Sequence, residues 1–542
     1  MRFPTGGDLL VEVLRAADVD TVFGVVSIHN LPLVQAVDAA LRFVPVRHEA
    51  AAVNAADGYA RARRGLGCAL TSTGTGAGNA AGSLIEALTA GSPVLHVTGQ
   101  IPTTYLGQGR GFIHETRDQS GMLAAVSAQT LIIDAAADAP ATLQSAVDRA
   151  LAAPTGPVSV EWPIDLQYAS VDGELPARRP AAPVRPDDVT MKEAAALLAS
   201  ARRPVIWAGG GAADAGDVLQ TLVDRLGAPL LTSNAGRGAV DEDHELCIGN
   251  YAAMPAVQAM LDDADVLLSV GTHFRSNETR SYKVRVPTTH IQIDVDTAAV
   301  GRVYPAKLAL VGDAADVLHA LSARIGQCGA EAGWRERAVA TRALVRADQR
   351  ADIGVQARFC DAIVDALPHT GVIARDVTIA SSSWGNRLLP IHSPRSNIFA
   401  RGGGIGQGLA MGIGAALGRP DTPVVVMAGD GGLAVHLGEL LTLCQERPNL
   451  TLLVFNDRGY GVLRNLQDAQ HAPRAGVDLH TPDFAGLARA IGLRYAAIVD
   501  PDDAGAVLAD AVAAAGPTLV EIDLLAVEPM PHAFVPPVEV RS

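Results

Sequence analysis

Only five cysteines are spread over 542 residues, with no Cys-x-x-Cys pair and no Cys/His cluster at zinc-ligand spacing. A disulfide scaffold and a cysteine-based zinc module are excluded, and Cys68, Cys247, Cys328, Cys360 and Cys444 read as reduced core residues without chemistry of their own. Positive charge is in deficit: 43 Lys and Arg against 58 Asp and Glu leave a formal charge of −15, with no long basic run. That balance argues against nucleic acid or an anionic membrane surface as the main partner and favours a small molecule. No window reaches the ~20 uninterrupted apolar residues that a membrane helix needs. The opening stretch also lacks a basic segment followed by an apolar one, so no secretory signal is expected and the cytoplasm is the default compartment. What is abundant is core material. Hydrophobic residues make up 49%, charged residues only 19%, and the mean hydropathy is +0.20, so the chain can build two to four ordinary domains around large cores.

The expected fold class is α/β, with three doubly wound parallel-sheet domains. In the first block the strand-like runs Thr21 to Phe23, Cys68 to Thr71, Pro93 to Thr98 and Val158 to Glu161 alternate with Ala-rich helical patterns, which means a parallel sheet covered by helices. Gly173 to Asp188 is dense in Pro and Arg and reads as a linker. A second block holds Pro204 to Ala208, Ala228 to Thr232, Asp265 to Val270 and His290 to Asp294. The polar helical stretch Trp334 to Arg350 reads as a second linker. A third block carries strand candidates at Val372 to Ala374, Val424 to Ala428, Leu450 to Phe455 and Thr518 to Ile522. The domain boundaries are set at 1–172, 188–330 and 356–535, and the first and third blocks read as duplicated α/β units of similar size.

The chemistry concentrates in the third block. The strand Val424 to Ala428 runs into Gly429-Asp430-Gly431-Gly432, and the strand Leu452 to Phe455 runs into Asn456-Asp457-Arg458-Gly459. Both turns fall at the carboxyl ends of parallel strands, where open α/β sheets bind ligands. Glycines admit a diphosphate close to backbone N–H groups, and the oxygen ligands suit a hard divalent cation such as Mg2+. A lone Gly-Asp-Gly reads equally as a capped turn. Two such turns, about 27 residues apart from Asp430 to Asp457, are much less easily put down to chance.

This pair resembles the thiamine diphosphate (ThDP) motif, in which Gly-Asp-Gly is followed some 25 to 30 residues later by Asn-Asn. The resemblance assigns the metal to Asp430, Asp457 and the Gly459 carbonyl. It departs from the family at Asp457, where Asn is usual, although Asp also offers an oxygen. Arg47-His48-Glu49-Ala50-Ala51 followed by Ala56-Asp57-Gly58-Tyr59-Ala60-Arg61 resembles the pyrimidine-domain signature of the acetolactate synthase, benzoylformate decarboxylase and benzaldehyde lyase superfamily. The resemblance makes Glu49 the acid that hydrogen-bonds the cofactor's aminopyrimidine ring. An acid held in an apolar pocket gains proton affinity and can share a proton there. Thr71 to Asn79 occupies the place of the family's Gly-rich loop, with a plain strand-to-helix turn as the alternative reading. Ile405, within Arg401-Gly-Gly-Gly-Ile405-Gly-Gln-Gly, falls where a bulky aliphatic residue bends the cofactor. Gly404, Gly429, Gly431, Gly432 and Tyr460 join Glu49, Ile405, Asp430 and Asp457 as expected cofactor contacts.

The middle block carries Ala208-Gly209-Gly210-Gly211 after a strand, and the resemblance implies a domain that binds FAD in acetolactate synthases, ADP in oxalyl-CoA decarboxylases and nothing elsewhere in the superfamily. So short a Gly run does not favour FAD. The pocket histidines of benzoylformate decarboxylases are missing, since Ile28, Thr71 and Asn277 stand at those places. His29 instead lies where benzaldehyde lyases carry a pocket His, and His114, in Phe112-Ile113-His114-Glu115, where acetolactate synthases carry a pocket Gln. Both are candidates for moving a proton at the substrate, against the plainer reading of loop histidines. His436 is a weaker candidate, and the apolar members of Tyr460 to Arg464 suggest an aliphatic or aromatic acyl group.

The resemblance implies an ThDP- and Mg2+-dependent lyase or carboligase acting on a 2-oxo acid or 2-hydroxy ketone, acetolactate-synthase-like first. Benzaldehyde-lyase-like cleavage and ligation comes next and a benzoylformate-type decarboxylase after it. A catalytically idle ThDP-binding regulatory protein is the reading from another class, as is a nicotinamide oxidoreductase using Gly209 to Gly211. The resemblance also implies a homodimer or homotetramer with active sites between subunits.

Overall fold

Each apolar block folds into a six-stranded, wholly parallel sheet flanked by helices. The computed structural model describes residues 2–178, 183–326 and 328–536, so Arg179 to Ala182 of the expected first linker lie outside the described residues. In the amino-terminal sheet the order is Arg42–Pro45, Thr21–Gly24, Gly67–Thr71, Val94–Gln100, Val158–Pro163, Gln129–Ile132. The carboxyl-terminal sheet repeats this order, as Asn397–Phe399, Val372–Arg375, Val424–Gly429, Leu450–Asn456, Thr518–Asp523, Arg494–Ile498. The central sheet is wound differently, running Cys247–Gly249, Leu230–Thr232, Pro204–Ala208, Val266–Val270, His290–Asp294, Leu308–Val311. In the two outer sheets the winding reverses between the first and third strands, and the crevice at that switch is where a ligand is held.

The four inner strands of every sheet coincide with the runs expected from sequence, while all six edge strands were missed. Burial accounts for most of this and shortness for the rest, since the mostly buried edges Cys247–Gly249 and Asn397–Phe399 are only three residues long. Gly67–Thr71, Val266–Val270 and Leu450–Asn456 are buried at every residue, so both faces select apolar side chains and the run is continuous. Arg42–Pro45, Gln129–Ile132 and Arg494–Ile498 are largely uncovered and carry the charge and polarity that edges tolerate. Trp334 to Arg350 proves not to be a free connector. It forms most of the helix Trp334–Ile353, whose Trp334 is buried and donates Nε1–H to the Pro204 carbonyl at 3.0 Å. All five thiols are unpaired; Cys68, Cys247 and Cys360 are buried, and Cys328 and Cys444 half-buried. Among the described residues no helix is long and apolar enough to cross a membrane.

The amino- and carboxyl-terminal domains are joined through the helices Glu49–Arg63 and Gly408–Gly418. A Cβ on Gly58 would run into the Met411 backbone, and one on Gly414 into the Ala55 backbone, so this contact is closer than any larger residue allows.

Beneath the amino-terminal site, His96 is fully buried between Thr71 Oγ1, at 2.8 Å, and Ser159 Oγ, at 3.0 Å. Burial pushes its imidazole down from 6.5 to about 4. The unfolded chain therefore takes up a proton at a pH where the native one does not, and stability falls as the pH drops from 6.5 toward 4. At 1.36 kcal/mol per unit this amounts to roughly 3 kcal/mol. His96→Gln should flatten that limb of the stability curve, measured by denaturant melts at pH 7 and pH 4.5; an unchanged slope would show that other groups set it.

Candidate active site

Parallel neighbours Val424–Gly429 and Leu450–Asn456 are paired through Gly429 and Phe455, which sets Asp430 and Asp457 side by side at their carboxyl ends. The Asp457 N–H donates to Asp430 Oδ1 at 3.3 Å. Asp430 is 1% exposed, and its Oδ2 is buried without a hydrogen-bond partner. Burial raises its carboxyl above the ordinary range. Burial and then the Asp430 charge push Asp457 up to about 6, against the pull of the Arg464 guanidinium 3.8 Å from its Oδ2. The Gly459 carbonyl lies over the same turn: a Cβ on Gly431 would come within 2.8 Å of it. Two crowded carboxylates, an orphaned buried oxygen and a backbone carbonyl converge, and a divalent cation satisfies all of them. These residues fit the metal that the sequence implies.

The loop carrying Ile405 is fastened to this turn from three sides. Asp376 ends the first strand of the carboxyl-terminal sheet, at the switch point, and accepts the N–H of Gly406 at 3.1 Å and of Gly408 at 3.3 Å. Its carboxyl is raised to about 6, chiefly by burial. His436 Nδ1 lies 3.0 Å from the Gly406 carbonyl. From the amino-terminal domain, buried Glu86 accepts the Gly402 N–H at 2.6 Å and is itself 3.5 Å from Arg61, which pairs with Asp57 at 2.6 Å. Thus held, Gly406, the residue after Ile405, stands beside Gly432, and Ile405 is 38% exposed. The Tyr460 ring packs on Gly431.

The amino-terminal half of the site gathers at the carboxyl ends of its own sheet. Glu49 opens the helix Glu49–Arg63, where the helix dipole favours a carboxylate, and His48 caps that helix by accepting from the Ala50 N–H. Glu49 is half-buried rather than enclosed; its Oε2 accepts from Asn79 Nδ2 at 3.0 Å, and its Oε1 lies where a Cβ on Gly76 would come within 3.1 Å. The Gly-rich loop thus makes room for this carboxylate. Buried Gln119 holds the loop by accepting the Gly74 N–H at 2.7 Å and the Thr73 hydroxyl at 2.9 Å. The His114 carbonyl lies directly over Gly74. His114, at φ +67°, places Nδ1 3.3 Å from His29 Nδ1. His29 is 3% exposed, and burial, then His114, holds its imidazole below the usual range. Its ring is committed to His114, and it is the His29 carbonyl that Gln167 anchors, at 2.8 Å.

Asp376, Glu86 and Gln119 were not anticipated. Asp376 had a readable signal, a charged pair directly after an apolar strand; Glu86 and Gln119 sit in helices and act through loops distant in sequence. In the central domain Gly209, Gly211 and Gly271 pack backbone against backbone, with the Gly211 N–H donating to the Gly271 carbonyl at 3.1 Å. These glycines serve close strand-end packing.

This arrangement is that of an enzyme built around a diphosphate-bearing cofactor, and comparison with known families agrees. The thiamine pyrophosphate enzyme N-terminal TPP binding domain matches residues 4–122, the central domain 191–321 and the C-terminal TPP binding domain 379–522. The chain belongs to the thiamine pyrophosphate enzymes. It is 34% identical to a probable 2-ketoarginine decarboxylase of Pseudomonas aeruginosa, over 96% of this chain and 94% of that protein. It is 29% identical to a probable acetolactate synthase large subunit of Methanocaldococcus jannaschii, over 98% and 93%, and 28% identical to an acetolactate synthase isozyme 2 large subunit of Escherichia coli, over 96% and 95%.

Proposed function

We propose that the chain is a ThDP- and Mg2+-dependent enzyme that breaks the carbon–carbon bond beside the carbonyl of a 2-oxo acid, and that it releases the acyl group or joins it to a second carbonyl. When bound, the cofactor supplies the nucleophilic carbon and the electron sink for that step. Asp430, Asp457 and the Gly459 carbonyl would hold the Mg2+, Glu49 would hold a proton at the aminopyrimidine, and Ile405 would pack against the cofactor. The relatives support a 2-oxo acid as substrate: 2-ketoarginine is one, and the decarboxylase bearing its name is 34% identical to this chain. A flavin is not part of the proposed cofactor set.

The observation that carries the reading is the His29–His114 pair. Two neutral imidazoles joined through Nδ1 share one proton, so one Nε2 must carry a hydrogen and the other a lone pair. Together they present one donor and one acceptor, which suits a substrate oxygen that changes between carbonyl and hydroxyl. The loops around them expose Val26, Ile28 and Ile113, and the carboxyl-terminal half of the site exposes Ile405, Val435 and Leu463. So many uncovered aliphatic groups on site-bearing loops support an apolar acyl pocket and a second copy of the chain closing over it, hence a homodimer or homotetramer.

His29→Ala should slow product formation about 10²-fold or more while leaving ThDP affinity and exchange of the cofactor's C2 proton intact. A scaffold role would behave differently, lowering the melting temperature and depressing all steps together through the folded fraction. If the ratio of product formation to C2 exchange does not change, the proton role is wrong.

A further inference from the structure

A second cluster of metal-ligating side chains lies apart from the active site, at the seam between the central and carboxyl-terminal domains. One ligand atom from each of Asp241, His369 and His392 falls within 4.8 Å of the others. His392 Nδ1 lies 2.9 Å from Asp241 Oδ1 and 3.7 Å from Asp243 Oδ2. The imidazoles of His369 and His392 stack with centroids 3.9 Å apart and planes 3° from parallel.

The backbone around these groups is fixed in advance. Glu242, next to Asp241, and Ile391, next to His392, exchange two hydrogen bonds: the Glu242 N–H donates to the Ile391 carbonyl at 3.3 Å, and the Ile391 N–H to Glu242 Oε2 at 3.0 Å. Glu242 is locked in turn by the fully buried Arg237, which donates to its two carboxylate oxygens at 2.7 Å each. His369 stands in a tight turn in which the Gly371 N–H donates to the Pro368 carbonyl at 2.7 Å. A cavity of about 90 Å3 opens beside the two rings.

We propose that Asp241, His369 and His392 form a site for a transition metal of the Zn2+ class that clasps the central domain to the carboxyl-terminal one, with Asp243 beside it. Two imidazoles and a carboxylate suit Zn2+ or Co2+, whereas Mg2+ and Ca2+ prefer all-oxygen sites. Bonds of about 2.0–2.2 Å in a tetrahedron space the donor atoms roughly 3.3–3.6 Å apart. The wider-spaced ligands must close by about an ångström, the His392–Asp241 pair must open by about half an ångström, and the stacked rings must turn their edges to the ion. His369 is exposed, so the contact its ring gives up in turning is the stack on His392. The inference is independent of the reaction proposed above, because none of these residues belongs to the active site.

The test uses the whole enzyme with ThDP and Mg2+ saturating, and Co2+ as the added metal. Wild type should take up one Co2+ per chain with the intense visible absorption of a four-coordinate ion, Zn2+ should bleach it, and His369→Ala should abolish it. Zn2+ should also raise the melting temperature of wild type and leave that of His369→Ala unchanged. Absence of the four-coordinate band, its survival in His369→Ala, or an equal Zn2+ effect on both proteins would overturn the proposal.

Discussion

Asp430→Ala is expected to weaken ThDP binding in the presence of Mg2+ by more than about 100-fold, since removal of groups merely supporting a metal ligand already costs 10–100-fold. Of the two carboxylates, Asp430 is the more deeply buried and has an oxygen without a partner. Its loss leaves Asp457 as the single carboxylate and opens a gap in the turn beneath the Gly459 carbonyl. Asp457→Asn is the control. It restores the residue usual in the family, still offers an oxygen, and relieves the like-charge crowding that pushes Asp457 up to about 6, so affinity should be retained. Calorimetry of ThDP with and without Mg2+ reads both variants, and an Asp430→Ala protein that binds like wild type would refute the metal assignment.

Glu49→Gln should keep the fold and the cofactor but lose ~10²–10⁴ of the turnover, the usual cost of a positioned acid or base. The amide has nearly the shape of the acid and can still meet Asn79, which now bonds Oε2 at 3.0 Å. What it loses is the capacity to give up and take back a proton. The helix dipole also favours a charge at this first residue, but that effect is only about 0.3–1 kcal/mol, too small to account for a loss of this size. ThDP affinity and the melting temperature should stay near wild type while C2-proton exchange, followed by NMR in deuterated water, collapses. Retained exchange would remove Glu49 from the chemistry.

How far the sequence was legible depended on whether a residue's role was local. The inner strands were readable because both faces are buried, and the Asp430 and Asp457 turns because each directly follows such a strand. Edge strands were silent because some, such as Gln129–Ile132, are largely uncovered, and others, such as Cys247–Gly249, are buried but only three residues long. Glu86 was silent for another reason: its partners are Arg61 in the preceding helix and the Arg401–Gly402 amides of a different domain, and no spacing rule joins them. His29 and His114 were each visible as a loop histidine, yet their Nδ1–Nδ1 contact depends on a loop at positive φ that crosses Gly74. Asp241, His369 and His392 belong to this second class, brought together only by the packing of one domain on another.

The most direct test of the proposed function is to load the purified enzyme with ThDP and Mg2+, supply a panel of 2-oxo acids with and without an aldehyde acceptor, and follow carbon dioxide and products by mass spectrometry. Pyruvate, benzoylformate and 2-ketoarginine belong in the panel, with benzoin as the ketol control. The account predicts carbon dioxide release from at least one 2-oxo acid, dependent on both ThDP and Mg2+ and lost in Glu49→Gln. Tight ThDP binding without turnover of any 2-oxo acid, or cleavage of benzoin alone, would contradict it.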